Sequence, residues 1–265
     1  MTFRAAQRPG PLRFRALRSI SALILREMAT RYGRSPGGYL WVVLEPVAGI
    51  ALLTFLFTLI SRSPPLGTNF PLFYATGILP FTMYVALSGN VATAVQYSRA
   101  LLSYPAVSFM DALLARFFLT ALTHILVMFL VLSGIIYFYD LKLVIHLPSI
   151  FAAIAMVLAF AFAIGVANCF LFARFPLWAN FWHVLNRPLF LLSGVIFIPE
   201  MLPKAAMQYL VWNPLIHTSG MMRRGFYPTY DALYVDVAYV YFCAIVIGIV
   251  GLWFLIRYHK DLALL

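Results

Sequence analysis

LPSIFAAIAMVLAFAFAIGVANCFLFA occupies residues 147–173 and carries no Asp, Glu, Lys or Arg over 27 positions. Roughly 20 predominantly apolar residues suffice to cross the hydrocarbon core of a bilayer as a helix. A run this long and this pure reads as a membrane span, not as the core helix of a soluble domain. Working outward from it, five more stretches meet the same test: 37–60, 70–95, 117–139, 175–199 and 237–256. Four of the six are free of charge, and only Glu45 and Arg187 break the pattern.

Composition agrees. The chain has 265 residues, 63% hydrophobic and 10% charged, against roughly 45–50% and 25% in soluble domains. Too little polar surface remains for a soluble enzyme, a nucleic-acid-binding domain or a disordered chain. Cys169 and Cys243 sit in apolar runs, with no Cys/His spacing that would hold a metal.

The net charge of +11 and pI near 9.9 are informative by position. Thirteen Lys and Arg fall before span one, between spans two and three, between four and five, or after six, eight of them in residues 4–34; five fall in the alternate connections. Short cytoplasmic loops retain basic residues, which predicts both termini in the cytoplasm. No signal-peptide cleavage pattern follows the basic amino end, so that end is expected to be retained. Phe14, Leu17, Ile20, Ile24 and Met28 recur at helical spacing with Arg15, Arg18 and Arg26 opposite, predicting an amphipathic helix on the inner membrane surface. The loop 96–116 reads as partly helical. On the outside, 201–212 is too short to span and too apolar to be solvated, and Asn213-Pro214 stops any helix running into it. A short helix or re-entrant pair is expected there.

These readings give an all-α integral membrane protein: a cytoplasmic amino-terminal part with an interface helix (1–36), a six-span domain (37–256) with a re-entrant segment after span five, and a short cytoplasmic tail (257–265). No P-loop is present, since none of Lys142, Lys204 and Lys260 follows a glycine. No G-x-S-x-G, H-E-x-x-H or intramembrane carboxylate pair is found either. His124, His146, His183, His217 and His259 are scattered and read as structural.

An ionised group at mid-span costs roughly 3 kcal/mol on insertion scales, so Glu45 and Arg187 should face protein or water. For Glu45 the alternatives are helix packing and substrate contact. Arg187 either snorkels toward headgroups, attracts an anion in a wet cavity, or pairs with Glu45. Most aromatics, Trp41 and Trp212 included, fall near span ends, as interfacial belts require.

The stretch Arg26-Glu-Met-Ala-Thr-Arg31-Tyr32-Gly-Arg34-Ser35-Pro-Gly-Gly38-Tyr39-Leu40-Trp41-Val-Val-Leu44-Glu45-Pro46 leads into span one. It resembles the R-x-R-Y/F-x-x-S-x-L-G-Y-L-W-x-x-L-E-P approach of the ABC-2 type transport permeases, particularly the polysaccharide exporters; Gly37 replaces a frequent leucine. Phe70-Pro71-Leu-Phe, Gly77-Ile-Leu-Pro80-Phe81, Leu101-Leu102-Ser-Tyr104-Pro105-Ala-Val107 with Asp111-Ala and Ala115-Arg116, Arg187-Pro188-Leu-Phe190 with Ser193-Gly194, and Trp212-Asn213-Pro214-Leu215 with His217 resemble the capsule polysaccharide branch.

The resemblance implies a homodimeric permease of the bacterial inner membrane, itself binding no cofactor, driven by two copies of a cytoplasmic ATPase that holds ATP and Mg. It further implies a periplasmic co-polymerase, an outer-membrane export protein, membrane lipid and a lipid-linked acidic polysaccharide as partners, and no nucleic acid. Arg187, Glu45, Trp41 and Tyr39 become substrate-path candidates. Arg26, Arg31, Leu102, Tyr104, Pro105 and Asp111 become ATPase-coupling candidates, and Trp212, Asn213, Pro214 and His217 outer-gate candidates. Two alternatives stand beside capsule export: export of O-antigen, teichoic acid or another glycolipid on the same fold, and a polytopic glycan-processing enzyme. The eight dispersed acids disfavour the enzyme.

Overall fold

The computed structural model describes residues 12–31, 38–98 and 108–264, with side chains over 19–28, 40–98 and 108–258. Among the described residues all regular structure is helical, without strands. In chain order the helices are α1 (Leu12–Arg31), α2 (Gly38–Ile60), α3 (Phe70–Ala92), α4 (Ala94–Tyr97), α5 (Phe109–Phe138), α6 (Leu147–Arg174), α7 (Pro176–Leu192), a 3-10 turn (Pro199–Met201), α8 (Lys204–Leu210), α9 (Pro214–Phe226) and α10 (Val237–Leu264).

Five of these are long and apolar enough to cross a membrane: Leu40–Ile60, Phe70–Ala92, Phe109–Phe138, Leu147–Arg174 and Val237–Tyr258. The predicted stretch 175–199 differs. It forms the 17-residue α7, about 26 Å long at 1.5 Å per residue, short of a roughly 30 Å core. Its end is written locally. Ser193 caps the helix, its hydroxyl donating back to Leu189 O at 2.6 Å, and Gly194 follows at φ +70°, the left-handed conformation that commonly closes helices. Non-helical backbone then runs to Ile198.

Elsewhere the predicted boundaries shift by local chemistry. The helix predicted at 70–95 breaks at Thr93 and resumes as α4. α5 starts eight residues before the predicted 117 because Ser108 and Asp111 form a capping box: Asp111 N–H donates to Ser108 Oγ at 3.1 Å and Ser108 N–H to Asp111 Oδ2 at 3.0 Å. α1 covers the expected 14–28, and Ile20, Leu23, Ile24 and Glu27 are half-buried on it while Met28 is 40% exposed. Its packed face is therefore rotated from the one read in the sequence.

α3 is the central post, most of its residues buried, whereas α2 buries only Pro46 and Ile50 among its described side chains. α6 packs along α3 and α10, and α9 rests on α6 and α3. Aromatic stacking joins the layers, Tyr84 on Phe160 at 5.7 Å and Phe170 on Phe254 at 5.1 Å. In lipid such helices gain little from hydrophobic burial and rely on close packing at small residues. A Cβ on Gly251 of α10 would lie 2.8 Å from Ala167 Cα of α6. Gly251→Val is therefore expected to destabilise the detergent-solubilised protein by about 1–3 kcal/mol, read as a fall of several degrees in Tm; an unchanged Tm would contradict this helix contact.

Candidate translocation cavity and its two ends

A cavity of about 830 Å³ opens between α1, α2, α3, α5 and α7. Phe81 and Val85 of α3 and Phe190 of α7 give it apolar walls, while Glu45, Asn90, Arg116 and His183 make it polar. Glu45 faces this space, beside the buried Pro46, and is engaged in no hydrogen bond or ion pair among the described residues. A carboxylate on a spanning helix is tolerable where it borders water, and the cavity supplies that border. Trp41, one turn earlier on α2, is 63% exposed. Tyr39 lies on α2 with its side chain outside the described ones.

α7 forms one side of this space and has no buried residue. At its base the Trp178 indole donates to Asn168 Oδ1 at 3.0 Å; near its top the Phe190 ring meets Phe81 edge-on at 5.2 Å. Asn180, His183 and Arg187, spaced i, i+3, i+7, are all exposed and share one face. A polar stripe on an otherwise apolar helix belongs beside water or a polar ligand. Arg187 lies outside the cavity lining and does not pair with Glu45 within the chain.

At the end where α1 meets α5, Arg116 is the organising group. Its Nη2 sits 2.9 Å from Glu27 Oε1 and its Nε donates to Glu27 Oε2 at 3.1 Å, a two-pronged ion pair. Nη1 donates to Thr93 Oγ1 at 2.8 Å and Asn90 O at 3.2 Å, and the guanidinium lies 4.3 Å above the Tyr97 ring. One side chain thus binds α1, α3, α4 and α5. Arg26 lines the cavity from α1, and Asp111 serves the cap of α5. Arg31 ends α1 with its side chain outside the described ones, and Leu102, Tyr104 and Pro105 lie outside the described residues. Arg116 and Glu27 went unselected in the sequence; the signal available was one acid inside a basic amphipathic helix.

At the opposite end the residues of the Trp212-to-His217 string converge. Asn213 caps α9, its Oδ1 accepting from Leu215 N–H at 3.1 Å, and its Nδ2 donates to Leu192 O of α7 at 3.1 Å. Pro214 opens α9, where its missing N–H costs nothing. Trp212 is 75% exposed, and its carbonyl accepts from Tyr239 Oη–H at 2.8 Å. His217 is fully buried: Nδ1 accepts from Asp236 N–H at 3.0 Å and Nε2 donates to Val211 O at 2.8 Å. Acceptance at Nδ1 requires the neutral ring with its proton on Nε2, and burial, ahead of the favourable backbone and Asp236 contacts, pulls its pKa below 6.5. Arg223, counted in the sequence as an outside-loop charge, is also fully buried.

The profile of the ABC-2 type transporter family matches residues 18–227, from α1 to the end of α9. The chain belongs to that family. This ABC-2 chain is 27% identical over 234 residues to the polysialic acid transport protein KpsM of Escherichia coli, covering 88% of the chain and 91% of the relative. It is 26% identical over 244 residues to the capsule polysaccharide export inner-membrane protein CtrC of Neisseria meningitidis, covering 92% of each. The O-antigen export system permease protein RfbA of Myxococcus xanthus shares 34% identity over 82 residues, 31% of each chain.

Two outcomes follow for the ABC-2 chain. Arg116→Ala removes the two-pronged ion pair from the mostly buried Glu27 carboxylate, an expected loss of about 3 kcal/mol; the double variant with Glu27→Gln should lose less than the two single losses added together, and additive losses in chemical denaturation would contradict the joint. Since the folded form holds neutral His217, its stabilisation is complete above pH 6.5 and declines as pH falls below that value. Tm measured from pH 8 to pH 5.5 should fall less steeply in His217→Gln than in the parent; parallel curves would contradict this.

Proposed function

We propose that this chain is the membrane-spanning subunit of an ATP-driven exporter of acidic, lipid-linked capsular polysaccharide in the bacterial inner membrane. The observation that carries the reading is the end-to-end match to relatives named for polysialic acid transport and capsule export, over 88–92% of the chain. The O-antigen exporter is matched over 31%, which favours capsule over the other glycolipids.

In this reading the sixth crossing is completed by α7 with 193–198, α1 lies on the cytoplasmic membrane surface, and α8 and α9 form the outer re-entrant pair, with both termini in the cytoplasm. Two copies associate so that α2 and α7 of each face a shared path. The chain holds no cofactor. ATP and Mg belong to two cytoplasmic ATPase subunits docked against α1 and the loop before α5, and a periplasmic co-polymerase and an outer-membrane protein continue the route.

Chemistry supports the assignment of the cavity. A polymer with a lipid anchor needs apolar wall and polar floor together, and Phe81, Phe190, Arg116 and His183 provide both. The exposed stripe Asn180, His183 and Arg187 presents hydrogen-bonding groups and one fixed positive charge to an acidic chain.

The complex of chain and ATPase, purified together and reconstituted, is expected to hydrolyse ATP several-fold faster with the acidic polymer than without it; no stimulation would contradict the proposal. Arg187→Gln is expected to lower acidic capsule at the cell surface several-fold at unchanged chain level, and unaltered surface polymer would remove Arg187 from the path.

A further inference from the structure

Arg223 is the largest fully buried side chain of the described residues. A guanidinium taken out of water needs acceptors in its place, and here they are main-chain carbonyls. Nη1 donates to Phe197 O at 2.9 Å and Nη2 to Val195 O at 3.0 Å. The Phe73 ring of α3 lies 4.2 Å from the guanidinium carbon, a favourable cation–π contact. No carboxylate stands within ion-pair distance of Arg223 among the described residues. Its charge is held by two loop carbonyls and one ring.

Both carbonyls belong to the non-helical stretch after α7, and α9 with its cap residue holds the end of α7 and the start of that stretch by two more bonds. Ser219 Oγ donates to Ser193 O at 2.7 Å, and Asn213 Nδ2 to Leu192 O at 3.1 Å. Side chains 213, 219 and 223 thus lace α9 to the exit of α7. α3 completes the joint at Gly77, where a Cβ would lie 3.0 Å from Val195 Cα and 3.3 Å from Arg223 Nη2. A Cβ there would crowd the Val195 backbone, so the glycine lets this segment sit close against α3.

We propose that Arg223 is the positioning residue of the outer closure: from behind, it holds the carbonyls of Val195 and Phe197 against α3, so that the 193–198 segment and α9 part only when those two bonds break. The proposal rests on reading 193–226 as the outer end of the path. Arg223 has no exposed surface, so it acts on the segment and not on the polymer.

The test is labelling of Val195→Cys by a membrane-impermeant maleimide applied to the periplasmic face, with the chain and its ATPase in spheroplasts and no polymer present. Val195 is fully buried, as is Cys169 of α6, which lies toward the Arg116 end of the bundle; Cys169 is therefore probed in parallel with a membrane-permeant maleimide and reports general unfolding, and Cys243 is replaced by Ala. Losing two hydrogen bonds from a charged donor is expected to speed Val195→Cys labelling at least about tenfold in Arg223→Ala, with Cys169 still protected. Gly77→Ala, whose Cβ crowds the Val195 backbone at 3.0 Å and Arg223 Nη2 at 3.3 Å while the charge itself is kept, should also raise labelling, and Arg223→Lys should fall between. Unchanged Val195→Cys labelling in both Arg223→Ala and Gly77→Ala overturns the proposal. So does Cys169 labelling that rises in step, since Arg223 would then serve overall stability alone. Because no polymer takes part, a failure here is separate from a failure of the export reading.

Discussion

Main-chain carbonyls that leave a helix in apolar surroundings must find donors, and at the end of α7 they find them in α9. Leu192, Ser193, Val195 and Phe197 each accept from a side chain of α9 or of its cap residue Asn213. In hydrocarbon each unsatisfied group costs several kcal/mol, so irregular backbone there exists only because a second segment covers it. That constraint explains why α7 can stop at Leu192, why α9 packs into the body of the protein against α3 and α6, and why a string as short as Asn213-Pro214-Leu215 has so many duties. Asn213 caps one helix and ties it to another; His217 ties the same helix to the start of α10 through Asp236 N–H.

The two ends of the bundle use arginine differently. Arg116 keeps a carboxylate partner and joins four helices beside the cavity. Arg223 has neutral partners and joins one helix to a loop. A charge-assisted bidentate pair is a firm joint, whereas bonds to neutral carbonyls are weaker and can be remade with water. The arrangement gives one end of the bundle a firm joint and the other a joint that is more easily remade. Between them α7, held at Trp178 and at Leu192, presents its polar stripe without a buried residue of its own.

Much of this architecture is legible in the sequence. Long apolar runs report helices because hydropathy is local, and the runs at 37–60, 70–95, 117–139, 147–173 and 237–256 became helices with ends shifted by a few residues or one turn, α5 and α10 reaching further. Glu45 could be singled out because a lone acid in an apolar run is visible without any partner. The end of α7 was not legible, since it depends on donors 21 to 28 residues further along the chain. Arg223 looked like any outer-loop cation, and Glu27 like any helix acid, because burial and pairing across helices leave no local trace. Asn213-Pro214 was read as a stop and proves also to be a start.

The proposed transport function depends on the polymer travelling through the cavity beside Glu45 and His183. A photoreactive amino acid placed at position 183, in cells making polymer and containing the ATPase, tests this most directly, with position 242 on α10 as the control because Phe242 is also exposed, at 65%. A carbohydrate-bearing adduct is expected from position 183 alone, formed only while polymer is being made. Adducts absent from 183, or equally strong from 242, would contradict it.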